Sequence, residues 1–527
     1  MNRRRFLLSL GALPLAARAR VTAAVQSDVD YIIVGAGSSG CVIANRLSAD
    51  PSMRVLIVEA GPPGGDDPAI TTPGRWVSLL GSAYDWKYQT EPEADLEGRR
   101  LAFPRGKVLG GSSAINAMTY VRGHRRDFDG WAAEGNAGWS YKDVLPLFTR
   151  SEDNSRGRSL YRGVGGPLAV SDCVDPHAGH EAFLNAVEDM GWSASETFEF
   201  NGERQDMTAG YYQKNIRDGR RHSAAAAFLV PVLSRPNLTA LTGVQATRLI
   251  IEGTRCVGLE YLREGRVARA RASRAVVLSA GVIDSPKLLM LSGIGPADHL
   301  RSFGIPVIAD LRGVGANLQD HLKLSVRWRS RRTLPPSTVT AGLFAFAARG
   351  QMRDEPGAIP NLQFYVGRGS DQPEPFVTIT ASLVRPASRG SVLLRTSNPL
   401  DAPVIRGNYL REQADVDALV AGVRFARMLA MSRAFDDLRG EETEPGMTAV
   451  SAADLRAFAR RAADSIYHPG GTCRMGTGPD AVVDAQLRVH GVEGLRVADA
   501  SIMPTVVNAT THAACVMIGE KAADLLK

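Results

Sequence analysis

Tyr31-Ile32-Ile33-Val34-Gly35-Ala36-Gly37-Ser38-Ser39-Gly40 is a short apolar strand running into a G-x-G-x-x-G turn, and a second apolar run, Val55 to Val58, ends on Glu59. Gly35 permits the tight turn and Gly37 lets a pyrophosphate approach the backbone. Gly40 lets the next helix pack closely on the strand, so its N-terminus, with Ser38 and Ser39, faces the phosphates. Glu59, nineteen residues beyond Gly40, is placed to accept hydrogen bonds from a ribose. A carboxylate there repels a 2′-phosphate, which argues for FAD or NAD over NADP. The expected fold class is therefore α/β, with a Rossmann-like dinucleotide-binding domain.

The rest of the chain is ordinary globular material: 527 residues, 44% hydrophobic and 22% charged, enough for two or three domains. Its first residues differ. Arg3-Arg4-Arg5 precedes an apolar stretch from Phe6 to Ala17, and Ala17-Arg18-Ala19 offers a small-x-small cleavage site. Residues 1–27 thus read as a twin-arginine-type signal peptide with a short linker, directing the protein to the periplasm or out of the cell. The apolar stretch is too short to span a bilayer and no later segment supplies the roughly 18 apolar residues needed, so no integral membrane segment is expected. Cleavage after Ala19 removes four arginines and takes the formal charge from +7 to +3. No Lys/Arg stripe with interleaved aromatics marks a nucleic-acid partner. The five cysteines lie far apart without C-x-x-C spacing, so neither a metal site nor a redox disulfide is expected.

Strand-like runs recur at Tyr31 to Val34, Val55 to Val58, Leu238 to Leu241, Arg248 to Ile251 and Ala275 to Leu278. The last leads through Ser279-Ala280-Gly281 to Ser285-Pro286, where the proline marks a helix start ahead of Lys287 to Leu291. Leu495 to Ala500 is a strand end carrying Asp499, followed by a helical pattern from Ala513 to Leu526. Between about 310 and 460 the texture changes to alternating pieces such as Asn361 to Val366, Phe376 to Val384 and Ser391 to Leu394, which suggests an inserted β-rich domain. Leu334 to Thr338 and Gly367 to Pro375 read as loops, either an access lid or, as most such loops are, ordinary surface.

Gly106-Lys107-Val108-Leu109-Gly110-Gly111-Ser112-Ser113-Ala114-Ile115-Asn116 combines glycines and small hydroxyls with strong apolar neighbours, a segment that allows a flat ring to approach the backbone. It resembles the first signature of the glucose-methanol-choline (GMC) family of FAD oxidoreductases. Gly281 to Gly295 resembles the second, with Val282 where the family usually has a small residue. Asp85-Trp86 to Pro92, Arg122-Gly123 to Trp131, Gly313 to His321 and His468 to Gly476 also look like family blocks. The resemblance implies a discontinuous FAD-binding domain (28–160, 215–310 and 462–527) and an α+β substrate-binding domain on a mostly antiparallel sheet (161–214 and 311–461). Carried over by motif, Gly35, Gly37, Gly40 and Glu59 hold the ADP portion, and Gly110, Gly111, Ser112 and Asn116 lie along the flavin. Val244 meets adenine, and Asp499 with Ala500 lies near the pyrophosphate and ribityl chain. Some members tether the flavin through a histidine in the first signature; the corresponding position is Ala114, so FAD is expected to be held non-covalently.

Removing a hydride from an alcohol carbon requires the hydroxyl proton to leave, so a base must sit beside the flavin. His468, in Tyr467-His468-Pro469-Gly470-Gly471, is the candidate general base, with Pro469 restricting its backbone and the glycines letting the chain pass close to the ring. His512 is the candidate donor to the substrate oxygen, stabilising a developing alkoxide while the carbinol hydrogen is aimed at flavin N5. His321 reads as structural. The resemblance implies oxidation of a primary alcohol to an aldehyde, choline dehydrogenase-like. Dioxygen, a quinone and a redox protein stay open as acceptors, and lyase chemistry on the same fold is the alternative. Choline's ammonium would need an anionic or aromatic pocket. Trp76, Trp86 and Tyr365 are available, but the region that the resemblance aligns with the family's ammonium-binding carboxylate, around Ser337 to Phe346, contains no Asp or Glu, which lowers choline relative to uncharged primary alcohols.

Overall fold

The computed structural model describes residues 27–205, 207–353, 358–369 and 375–527. The leader from Arg3 to Ala19 lies outside the described residues, as do 370–374 of the second expected loop.

The opening strand, Ser27–Val34, sits inside a sheet whose order is Leu238–Leu241, Val55–Val58, Ser27–Val34, Arg266–Leu278, all parallel. All four residues from Val55 to Val58 are buried, as expected of parallel strands covered on both faces. Leu495–Val497 adds a further parallel strand beside Val276 to Leu278. The run expected to start at Ala275 begins at Arg266. Its exposed first half pairs antiparallel with Arg255–Arg263, which pairs in turn with Val244–Glu252. The chain leaves Ser27–Val34 toward one side of the sheet and returns on the other, which creates the crevice at the carboxyl edge where ligands of such sheets bind.

A second sheet runs Arg439–Glu444, Leu322–Ser330, Phe376–Leu383, Leu362–Gly369, Ala341–Ala348, Thr208–Tyr211, Ser193–Ala194, antiparallel except for its last pair. Leu362–Gly369 carries a strand through Gly367, where a loop was expected. Asp464–Ser465 pairs with Leu322 and Lys323, a little beyond the expected boundary at 461. Alternation gives this sheet two unlike faces. Leu322, Leu324, Val326, Leu362, Phe364, Ile379, Ala381 and Leu383 are buried beneath the helix Gln413–Ala430, whose Gly422 approaches so closely that a Cβ there would lie 2.6 Å from that of Ala381. Lys323, Ser325, Gln363, Tyr365 and Thr380, on the other face, line a cavity.

The helix before Leu291 starts at Gly281, so Pro286 lies inside it. Proline removes the N–H that would have bonded the Val282 carbonyl. Thr472 Oγ1 donates to that carbonyl instead, at 2.6 Å, so the proline costs no buried acceptor and ties the His468 block to the helix.

The cradle helix, Ser38–Leu47, packs directly on the C-terminal helix, Thr511–Leu526. A Cβ on Gly519 would lie 2.8 Å from the Ser39 carbonyl oxygen. Ser39 Oγ donates to the Cys515 carbonyl at 2.7 Å, and Tyr31 Oη to that of Leu526 at 2.6 Å. Glu520, fully buried, is bound by Arg46 and Arg150, each at 2.7 Å, and by Ser151 Oγ at 2.7 Å. Breaking such a buried pair costs roughly 3–5 kcal/mol because a charge is left unpartnered.

Candidate active site

The residues that follow the parallel strands, Gly35, Glu59, Ser279 and Asp499, gather at one end of a cavity of about 650 Å³, and the polar face of the second sheet forms the other end. Gly35 has φ +98°, and a Cβ there would lie 2.5 Å from the Ser279 carbonyl oxygen. On Gly40 it would lie 2.0 Å from the Gly35 oxygen. Gly37 is different: a Cβ there would meet only the Ser279 oxygen, at 3.9 Å, and would project into the cavity. Its helix has no side-chain cap, so its first N–H groups are free to meet phosphate.

Of the expected cofactor residues, Gly35, Gly37, Ser38, Ser39, Glu59, Gly111, Ser112, Asn116, Val244, Asp499 and Ala500 line this cavity; Gly40 and Gly110 do not. Gly110 shapes the wall from behind, donating its N–H to the Ala36 carbonyl at 2.8 Å. Glu59 accepts from the Ala36 N–H at 3.0 Å and the Gly61 N–H at 2.9 Å. Burial pushes its carboxyl up to about 7, opposed by those N–H groups, and each oxygen retains a lone pair for a ribose hydroxyl. Asp499 accepts from the Gly281 N–H, Ser285 Oγ and the Ser501 N–H at 2.6–2.8 Å. It therefore braces the second strand-turn-helix unit as well as facing the cavity. Ala114 is packed with Ile70, Leu79 and Val108 and does not line the cavity, whereas Ile115 does; no histidine occurs from Gly106 to Asn116.

His468 and His512 line the same cavity. His468 follows Tyr467, a non-glycine residue at φ +67°, a costly conformation fixed by Arg105, which donates to the Tyr467 carbonyl at 2.6 Å. The His468 N–H donates to Asp320 Oδ1 at 2.9 Å, while Tyr409 Oη and Ser465 Oγ donate to Asp320 Oδ2 at 2.7 and 2.5 Å. Burial pushes the Asp320 carboxyl up to about 6 against these bonds. Burial also pushes the His468 ring down to about 3, with the Arg105 charge adding to it. Gly470 and Gly471 do not approach the cavity as expected; they pack against Ala500 and Asn317.

His321, expected to be structural, lies 3.2 Å from His468, Nδ1 to Nδ1. One ring must donate the shared proton and the other accept it, so the tautomers of His321 and His468 are coupled. No sequence pattern marks this contact, because the two residues stand on different segments. His512 Nδ1 lies 2.9 Å from Ser38 Oγ, which joins the imidazole to the cradle. Its Nε2 is buried without a partner among the described residues, and burial, then the Arg221 charge, pushes the ring down to about 4. A cavity-facing orphan nitrogen, a glycine whose missing side chain leaves room, and an uncapped helix end fit a dinucleotide and a small oxygen-bearing substrate.

The polar sheet face was also missed. Its signal is the alternation of Lys323 and Ser325 with Leu322, Leu324 and Val326, readable as a strand with one polar side. Of the three aromatics available for an ammonium, all line the cavity. Trp86 is already covered by the Lys107 ammonium, 4.5 Å from its ring centroid, and stacks on Tyr88.

The GMC oxidoreductase family matches residues 29–323 and 386–519, and the chain belongs to it. It is therefore an enzyme acting on CH–OH donors, with FAD as its cofactor. The chain is 42% identical to the mitochondrial choline dehydrogenase of Homo sapiens, over 99% of this chain and 94% of that protein. Among solved structures, pyridoxine 4-oxidase from Mesorbium loti superposes with a TM-score of 0.87 at 36% identity, covering 94% of this chain and 98% of that one. An Aspergillus oryzae formate oxidase, described for its FAD modification, gives 0.87 at 30% identity over 95% and 98%.

The geometry separates two kinds of glycine. Gly37→Ala is expected to leave the thermal midpoint of the flavin-free protein unchanged, because its Cβ meets no protein atom closer than 3.9 Å, yet to weaken FAD binding at least about tenfold by filling the pyrophosphate approach. Flavin titration beside a melting curve checks it; unaltered FAD affinity would contradict the cradle assignment.

Proposed function

We propose that this protein oxidises a primary alcohol to an aldehyde, with His468 as proton acceptor and His512 as the group that holds the alcohol oxygen. The observation that carries this reading is the presence of both imidazoles in the cavity that also holds the glycine cradle. FAD, when bound, supplies the hydride acceptor.

The chain's residues divide the remaining work. With the shared proton on His468 Nδ1 and donated to His321, the Nε2 lone pair of His468 is free to take the hydroxyl proton. With Ser38 Oγ donating to His512 Nδ1, the ring proton of His512 resides on Nε2, where it can donate to the substrate oxygen as negative charge develops. Burial keeps both rings neutral, the state from which a base and a neutral donor must each begin.

His468→Ala is expected to retain FAD and to slow anaerobic bleaching of the flavin by alcohol by roughly 10²- to 10⁴-fold. In the wild type the bleaching rate should be constant near neutrality and fall on the acid side, with its inflection below the ordinary histidine value of ~6.5. The sign follows from the depressed pKa: protonation removes the lone pair, so activity is lost as pH falls. The rings' contribution to stability is likewise present above ~6.5 and lost as pH drops toward their folded values. Near-normal bleaching by the variant, or an acid inflection above 6.5, would reject the assignment.

FAD is proposed to be held without a covalent bond, a reading supported by the absence of histidine from Gly106 to Asn116. Acid precipitation should release free flavin into the supernatant, and colour retained in the denatured polypeptide would overturn it. We further propose export through the Arg3-Arg4-Arg5 leader, supported by its order of charge, apolar run and small-residue site. Replacing Arg4 and Arg5 by lysine should keep the protein inside a bacterial host; unchanged export would remove this reading.

A further inference from the structure

Among the described residues, the substrate end of the cavity is electrostatically one-sided. The carboxylates that line the cavity, Glu59, Asp284 and Asp499, are committed elsewhere. Glu59 and Asp499 hold backbone N–H groups, and Asp284 accepts from Tyr88 Oη at 2.9 and 3.0 Å. None belongs to the second sheet. The sheet face and its rim instead present Lys323 and Lys214.

Lys323 has a partner, Asp464 at 3.7 Å. Lys214 is the exception. It is 6% exposed, and its backbone is fixed by reciprocal bonds with Ser171, both at 2.9 Å, but among the described residues its ammonium has no hydrogen bond and no ion pair. The neutral groups nearby are mutually satisfied. Ser325 Oγ lies 2.8 Å from Thr380 Oγ1, and Gln363 donates to Tyr212 Oη at 3.0 Å. Of the acidic groups acting on Lys214, the Cys173 thiol is pushed up by burial, and Asp175 is exposed and accepts both bonds offered by Thr338.

Lys214 lines the cavity that holds both histidines, and its backbone is tied to the His512 segment. Lys214 bridges to Thr119, and the Thr119 carbonyl accepts from Thr510 Oγ1 at 3.1 Å, two residues before His512. We propose that Lys214 is the recognition group for an anionic oxyacid group on the substrate, so that the alcohol oxidised carries a carboxylate or phosphate. This deepens the alcohol-oxidation reading and rests on it. An ammonium taken out of water is costly while unpaired and is relieved by an anion; burial already pushes Lys214 below its usual range. A quaternary ammonium is served less well, since among the described residues no uncommitted carboxylate lines the cavity and, of the three aromatics available for it, Trp86 is covered by Lys107.

The test compares, on the FAD-loaded enzyme, ω-hydroxy carboxylates of two to six carbons and phosphoethanol with the corresponding amides, simple primary alcohols and choline. kcat/KM is read from anaerobic flavin bleaching, and Kd from calorimetry. The wild type should favour one of the anionic alcohols over its neutral counterpart by roughly ten- to hundredfold. Which of the two anions wins identifies the source of the charge. Lys214→Met and Lys214→Gln, whose FAD content and melting point report folding, should bring the ratio close to one, and Lys214→Arg should restore most of it. A wild-type enzyme that takes neutral alcohols or choline as well as every anionic alcohol overturns the inference while leaving alcohol oxidation intact. So does an anion preference that survives in the Met and Gln variants. If no alcohol bleaches the flavin, alcohol oxidation fails. Calorimetry then decides the anion site by itself: carboxylates binding the wild type more tightly than amides, with the difference lost in Lys214→Met, support it, and equal binding overturns it.

Discussion

Two helices from opposite ends of the chain share one close contact, and the site depends on it. Ser38–Leu47 presents the cradle, Thr511–Leu526 presents His512, and Gly519 lets the second lie against the backbone of the first. The buried Glu520 carboxylate, satisfied by Arg46, Arg150 and Ser151, resists any sliding between them, because slippage would strand a charge in the interior. Ser38 then touches His512 directly. The glycine cradle and the His512 imidazole are thereby one rigid unit. Preorganisation of this kind lets a donor act on developing charge without reorganising during the reaction.

Burial performs the second task. It holds both imidazoles neutral, raises Glu59 and Asp320, and leaves two cavity-lining residues, His512 at Nε2 and Lys214 at its ammonium, without a partner among the described residues. Each of these groups is destabilising when unpartnered. Their persistence is intelligible if ligands complete them, and the stability lost in building the site returns on binding. The substrate sheet supports this with its two faces: apolar residues anchor it on Gln413–Ala430, and the alternate positions are released to line the cavity.

Much of this was legible in the chain. The Gly35-Ala36-Gly37-Ser38-Ser39-Gly40 turn, the Glu59 strand end and the signature blocks specify local backbone demands, which sequence records directly. Pro286 misled as a helix start because the compensating donor, Thr472, lies 186 residues away in sequence. His321 could not be distinguished from a structural histidine because its role is a contact with another segment. Gly470 and Gly471 follow His468 in sequence, but the space they create is filled by Ala500 and Asn317. Lys214 carries no pattern at all; its meaning arises only from the missing partner. Motifs report what the backbone must do locally, whereas charge balance and tautomer choice are properties of the assembled cavity.

The most direct test is a crystal structure of the FAD-loaded protein with a bound alcohol or unreactive analogue. The account requires a single ligand oxygen within roughly 2.6–3.2 Å of Nε2 of both His468 and His512, with the His321 and Ser38 contacts to their Nδ1 atoms preserved. A ligand oxygen bound away from either imidazole, or a His468 ring turned so that Nε2 meets His321 instead, would contradict it.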